Sequence, residues 1–343
     1  MNHIFYLHSN TCVIATFDII TKLLYDKENN VIIVLERGTK FPFFEGKVSI
    51  FDVQKVIDTY RKKTKSLLGT VINYKTSLHP QCKIFAEKVI NDTDFVLYTP
   101  SYNMYSIKPF LYSKHCLGYY FIEEGFMAYL SEKTLRKHFN NRQYKKGHIL
   151  MHLVGSGESF DYKVTSNFYG CIGLSEYSFP WSNNNKIITK FDGYFSHLPY
   201  EDIDVDYLIT TDWLKDDICI LKNAFDKTID TIEKNGSINR VAIKFHPSAF
   251  VNEKEKIDFL IDHLKCKYNN IDYIILPPYY SIEALMYHRS ISIYCIFGVS
   301  SLQLYAIMLK SKPYMVTKNK AIDISEIKSI PDFLDISTKD WNS

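Results

Sequence analysis

The segment Ile291–Lys310, ISIYCIFGVSSLQLYAIMLK, decides between two very different proteins. Ile291–Leu309 carries no charge and is about as long as a membrane-spanning helix. It also holds Ser292, Gly298, Ser300, Ser301 and Gln303. β-branched and aromatic residues crowd ISIYCIF, before Gly298. Helical spacing governs LQLYAIML, after Ser301. The pattern predicts a buried strand, a tight turn and a buried helix rather than a span.

The same alternation extends in both directions. Downstream, KPYMV reads as a final strand and 323–343 as a polar tail. Upstream lie SIEALMYH (helix), IDYIILP (strand), KEKIDFLIDHLKCKY (helix), RVAIKFHP (strand), ICILKNAFDKTIDTIEKN (helix) and DYLITTDW (strand). The N-terminal half repeats the theme. HIFYLHS, VIIVLER, DFVLYTP and HCLGYYFIEEG read as strands, the first followed by a loop at Asn10–Thr11. The runs Cys12–Leu24, DVQKVIDTYRKK and FMAYLSEKTLRKHF read as helices. Strands alternating with helices predict an α/β fold with mostly parallel sheets. Between the halves, 147–201 has weak periodicity and reads as an irregular bridge. Two domains follow, 1–200 and 201–322, with the tail able to pack back on the first.

Composition narrows the function classes. With 343 residues, 46% apolar and 23% charged, the chain suits a two-domain globular protein. Lys plus Arg number 41 and Asp plus Glu 38, a net charge of +3, and no basic stripe accompanies the aromatics. Nucleic acid is therefore not an expected partner. Aromatics reach 15%, with 26 Tyr, 23 Phe and 3 Trp, and core filling is their expected use. Seven cysteines, widely spaced and without a C-x-x-C pair, predict buried thiols in a reducing compartment. The N-terminus MNHIFYLHSN lacks a secretory signal. A cytoplasmic protein is expected, with the mild basic excess permitting peripheral attachment to a membrane.

In open α/β sheets, ligands bind beyond the carboxyl ends of the strands. Three strand ends carry suitable chemistry. Glu123-Glu124-Gly125 follows GYYFI. Adjacent carboxylates on a strand point to opposite faces, so one could line a cleft as a general base. Gly125 would let the chain turn sharply. The competing reading is an acidic helix N-terminus. Lys244-Phe245-His246-Pro247 follows RVAI. Proline ends the strand and fixes a histidine at its edge, able to stabilise a leaving phosphate. The competing reading is a surface histidine before a turn, as expected for His79-Pro80. Gly298-Val299-Ser300-Ser301 joins a strand to a helix, where free N–H groups and hydroxyls attract phosphate or the serines simply cap the helix.

In this order, acidic-acidic-Gly, His-Pro and Ser-Ser resemble the motifs of bacterial sialyltransferases with a GT-B fold. That family includes lipooligosaccharide, polysialic acid and marine-bacterial groups. Glu283 lies seventeen residues before Ser300. In the marine-type enzymes a glutamate at a similar interval binds the cytidine ribose. ITTDW resembles a Thr-rich strand end followed by an active-site tryptophan, which makes Trp213 a candidate for the cleft. One departure is Phe245, where the family often has glycine.

The resemblance implies two Rossmann-like domains facing each other across a cleft. It implies inverting transfer of sialic acid from CMP-Neu5Ac to a hydroxyl, expected on galactose of a lipopolysaccharide, lipooligosaccharide or capsule. The resemblance allows a lipid-linked acceptor and a cytoplasmic enzyme attached peripherally to the inner face of the bacterial inner membrane. Glu124 is the implied base, with Glu123 as the fallback. His246, Pro247, Gly298, Ser300 and Ser301 would surround the CMP phosphate, and Glu283 would hold the ribose. Asn10 and Trp213 would contact sialic acid or acceptor. No metal or other cofactor is expected, because CMP carries one phosphate. The D-x-D sequence Asp204-Val205-Asp206 is the rival, metal-dependent signature, and it also reads as a solvated link. GSGES (155–159) lacks a complete nucleophile-elbow or dinucleotide fingerprint and reads as a loop. The alternatives are another GT-B transferase using CMP-Kdo or a UDP- or GDP-sugar, and a non-catalytic glycan-binding protein.

Overall fold

A computed structural model describes residues 1–41, 44, 46–61, 67–102, 104–139, 162, 164–182, 185–197, 203–205, 207–211, 217–236, 238–246, 249, 253–277, 280–296 and 301–315. The chain divides into two compact units, Met1–His197 and Leu198–Ser343.

The first unit is built on seven strands. They are β1 (Asn2–Leu7), β2 (Asn30–Leu35), β3 (Ser49–Asp52), β4 (Phe95–Thr99), β5 (Cys116–Ile122), β6 (Phe168–Gly173) and β7 (Lys186–Ile188). Their order is β3-β2-β1-β4-β5-β6-β7, and every neighbouring pair is parallel. The central strands are apolar almost without interruption, as a sheet covered on both faces requires. In β4 all five residues, FVLYT, are buried. Tyrosines and phenylalanines stack across strands: Phe5 on Tyr98 at 4.1 Å and Tyr98 on Tyr120 at 5.3 Å between ring centroids. A second cluster joins Phe121, Tyr162, Phe168, Phe179 and Trp181. Core filling thus accounts for much of the aromatic excess.

The second unit repeats the scheme with five parallel strands. These are β8 (Tyr207–Thr211), β9 (Arg240–Lys244), β10 (Asp272–Ile275), β11 (Ser292–Ile296) and β12 (Lys312–Met315), in the order β10-β9-β8-β11-β12. Its core gathers Ile209, Leu221, Phe225, Val241, Phe245, Leu260 and Leu264 from strands and helices. Each such side chain contributes roughly 1.5–3 kcal/mol by leaving water. The decisive segment supplies β11 and the helix Ser301–Met308, as its pattern predicts. Among the described residues no helix is long and apolar enough to cross a membrane.

The structure corrects several expectations. The 147–201 segment is not simply an irregular bridge, because it contributes β6, β7 and the helix Phe191–Phe195. Strand β6 was obscured by Gly170 and Gly173, which weaken a strand pattern. Both mark close approach: a Cβ at Gly170 would land on the Asn185 carbonyl, and one at Gly173 on Ser178 Oγ. FMAYLSEKTLRKHF is not one helix. A 3₁₀ turn covers Phe126–Tyr129, Leu130 is extended, and a helix covers Glu132–Phe139. Ser131 Oγ accepts the Thr134 N–H at 3.2 Å and caps the new helix. Asn10 is helical instead of looped, because Ser9 caps the helix Asn10–Tyr25 through the Cys12 N–H. All seven cysteines are free, but Cys219 and Cys266 are exposed instead of buried.

Candidate functional site at the carboxyl ends of the strands

Each sheet has a central strand from which the chain winds both ways. In the first unit β1 lies between β2 and β4. In the second, β8 lies between β9 and β11. Crevices for ligands open at such switch points, beyond the carboxyl ends of the strands.

In the first unit that rim carries His8, which follows β1, and Glu123-Glu124-Gly125, which follows β5. The two glutamates have different surroundings. Glu123 is fully buried. Its Oε1 accepts the Tyr129 hydroxyl at 2.8 Å, and its Oε2 accepts the Leu174 N–H at 2.8 Å. Burial, then the Glu123 charge, holds the Tyr129 phenol well above its ordinary pKa, so Tyr129 stays a donor. Glu124 keeps 20% of its side-chain surface exposed, and its Oε2 lies 2.7 Å from Nε2 of His8. The Tyr162 hydroxyl reaches Glu124 Oε1 at 3.5 Å. Gly125 has φ 133°, a region that favours glycine, and turns the chain away directly after Glu124.

His8 is a functional candidate beyond those of the motif comparison. Its side chain is only 2% exposed. Burial opposes its charge, but the Cys12 sulfur and the Glu124 carboxylate outweigh it and push the imidazole up to about 10. Its Nδ1 has no hydrogen-bond partner among the described residues. A readable signal was present: HIFYLHS ends a buried strand with a histidine, the same placement that marked His246. Asn10 stands exposed at the start of the next helix.

In the second unit, Lys244 ends β9, Phe245 is fully buried, and His246 is half-buried just beyond. Phe245, where the resembled motif often has glycine, places its ring in the core beside Phe225, 6.1 Å between centroids. Lys244 is buried, and burial pulls its ammonium down to about 8 against the opposing influence of Glu283. Glu283 lies in the first turn of the helix Ile282–His288, where its carboxylate accepts the Ser281 hydroxyl at 3.1 Å. Ser301 opens the helix after β11. Thr211, at the end of the switch-point strand β8, has a buried Oγ1 with no hydrogen-bond partner among the described residues. Trp213, Pro247, Gly298 and Ser300 lie outside the described residues, as do GSGES and the polar tail.

The rival D-x-D signature has its own structural partner. Asp204 Oδ1 lies 2.6 Å from Arg289, Val205 is buried, and Asp206 lies outside the described residues. Among the described residues no group of three or more His, Cys, Asp or Glu side chains could hold a metal.

No family model and no curated protein matches the sequence. Solved structures do. UDP-GlcNAc 2-epimerase from Methanocaldococcus jannaschii superposes with a TM-score of 0.52 at 15% identity, over 100% of this chain and 94% of that one. A sialyltransferase from Photobacterium damsela superposes with a TM-score of 0.51 at 12% identity, over 98% of this chain and 78% of that one. The chain has a GT-B fold. Both likenesses span nearly the whole chain, so the GT-B description applies to both Rossmann-like units. At these identities the likeness concerns the fold alone. The chemistry has to come from the rim residues.

Proposed function

We propose that this GT-B protein is an inverting glycosyltransferase that moves sialic acid from CMP-Neu5Ac to a sugar hydroxyl, without a metal. The observation that carries the reading is the division of labour between two consecutive carboxylates. Glu123 has both oxygens occupied inside the protein. Glu124 sits at the rim, partly exposed and ion-paired. This difference supports reading Glu123 as a structural anchor and Glu124 as the base.

In this reading the acceptor hydroxyl gives its proton to Glu124 as its oxygen attacks the anomeric carbon. The bond from that carbon to the CMP phosphate breaks, and the electron pair leaves with the phosphate. Attack opposite the leaving group inverts the centre. His246, with the serines Ser300 and Ser301, stabilises the growing phosphate charge by hydrogen bonding. Pro247 and Gly298 complete the set of CMP-binding residues in this reading. Glu283 holds the ribose, and the Thr211 hydroxyl supplies a further buried polar contact for the donor. Asn10 and Trp213 contact sialic acid or acceptor. The acceptor class is a galactose-terminated bacterial surface glycan, and the protein acts at the cytoplasmic face of the inner membrane. One phosphate on the donor asks for less positive charge than a diphosphate does, which supports transfer without a divalent ion.

The test is incubation with CMP-Neu5Ac and a panel of galactosides, followed by mass spectrometry and linkage analysis. A sialylated product, formed equally in EDTA, is the expected result. Strict dependence on Mn²⁺ would overturn metal independence. Stronger thermal stabilisation by UDP or GDP than by CMP would replace the donor.

A further inference from the structure

We propose that His8 is a positioning residue for the transfer base, its Nε2–H holding Oε2 of Glu124 so that Oε1 takes the acceptor's proton. The inference rests on the reading of Glu124 as the base. Nε2 and Oε2 are 2.7 Å apart, a charge-assisted bond of ordinary length. The two groups come from distant parts of the chain, the end of β1 and the end of β5, at the switch-point rim of one sheet.

The relative burial sets the roles. In a pair of this kind the inner group orients and the outer group reacts. Here the imidazole is the inner member, 2% exposed, and the carboxylate the outer one, 20% exposed. His8 is therefore screened from an acceptor that Glu124 can reach. Its surroundings also fix its state. Cys12, buried at the start of the following helix, and Glu124 favour the imidazolium over the neutral ring. Ser9 in turn donates its hydroxyl to Cys12 Sγ at 3.1 Å and accepts the Cys12 N–H, so the sulfur is anchored. Ser9 thus fixes Cys12, and His8 holds Glu124.

The proton balance is simple. The acceptor's proton moves from its oxygen to Oε1 of Glu124. The proton on Nε2 of His8 stays where it is and keeps Oε2 engaged through the transfer. With Oε2 tethered, the carboxylate cannot rotate away from its orientation. Misplacement of a reacting group by about 1 Å can cost about a hundredfold in rate.

The experiment compares the parent with His8→Phe, which keeps a ring but no donor, and His8→Gln, which keeps a donor but no charge. The substrates are CMP-Neu5Ac and the best galactoside of the panel, and Glu124→Gln is run alongside. The expected result is a fall in kcat of about tenfold or more for His8→Phe. Partial recovery is expected in His8→Gln, with KM for CMP-Neu5Ac within about twofold of the parent in both. A His8→Phe kcat within about twofold of the parent, a loss confined to donor KM, or no recovery in His8→Gln would overturn the proposal. If His8→Phe does not fold, His8→Ala takes its place under the same criteria. Parental activity in Glu124→Gln would instead sink the base itself, and His8 with it. Should the parent transfer nothing from CMP-Neu5Ac, the pair is read directly by ¹⁵N NMR of histidine-labelled protein. Glu124→Gln must then move the His8 imidazole signals toward the neutral ring, and unmoved signals would overturn the coupling.

Discussion

The carboxylate of Glu123 accepts the backbone N–H of Leu174 at 2.8 Å, which ties the end of β5 to the chain leaving β6. Its neighbour in sequence, Glu124, makes no such tie and faces the rim. Charge-removing substitutions should therefore separate the two. Glu124→Gln should abolish transfer and leave the melting temperature close to the parent. Glu123→Gln should destabilise the fold by about 1–3 kcal/mol, since a buried charged acceptor of two hydrogen bonds is replaced by an amide. Thermal melts beside single-turnover assays decide the matter. Equal melting temperatures for the two variants would remove the distinction.

The same corner depends on Gly173. A methyl group there would collide with Ser178 Oγ and lie 3.2 Å from Glu123 Oε2. Gly173→Ala should cost about 1–3 kcal/mol through overpacking. The loss should appear as a lower denaturant midpoint with an unchanged slope.

The reading of the sequence reached the fold through strands that are apolar throughout. β1, β4, β8 and β11 are central, buried on both faces, and easy to recognise as runs. β3 and β7 are edges: Ile50, Ile187 and Ile188 are exposed, and short edge strands carry no apolar run to read. The rim followed the same logic. Glu124 and His246 stood out because a motif surrounded them. His8 closes its strand with no motif around it, and its partner lies far along the chain. Only the parallel order of β1, β4 and β5 brings the two together.

His8 also carries a pH signature. Its folded-state pKa is raised from the ordinary 6.5 to about 10, against burial, by Cys12 and Glu124. The stabilisation is fully present below about 6.5 and is lost as pH rises through about 10. His8→Gln should therefore lower the melting temperature most at pH 6, with the gap narrowing toward pH 10. A gap that widens with pH would contradict the raised value.

Donor binding should respond to the second unit alone. His246→Ala and Glu283→Gln should each weaken CMP by about tenfold, the scale of one hydrogen bond to a charged group. Asp204→Asn should not, because that carboxylate is engaged with Arg289. Calorimetric titration with CMP, in buffer containing EDTA, distinguishes these outcomes. Loss of CMP affinity in Asp204→Asn would return the D-x-D segment to the donor site.

Tyr162 joins two features of the first unit. Its ring packs against the Trp181 indole at 5.4 Å between centroids, and its hydroxyl reaches Glu124. The only other tryptophans are Trp213 and Trp341. Replacing Trp341 with phenylalanine leaves Trp181 and the acceptor-site Trp213, and a Trp181→Phe control separates their signals; Trp181 stands one aromatic ring away from the carboxylate that is to receive a proton. Emission from Trp181 then becomes an optical gauge of what happens at Glu124. Acceptor arrival can be timed by stopped flow without a labelled sugar, even in a variant that turns nothing over.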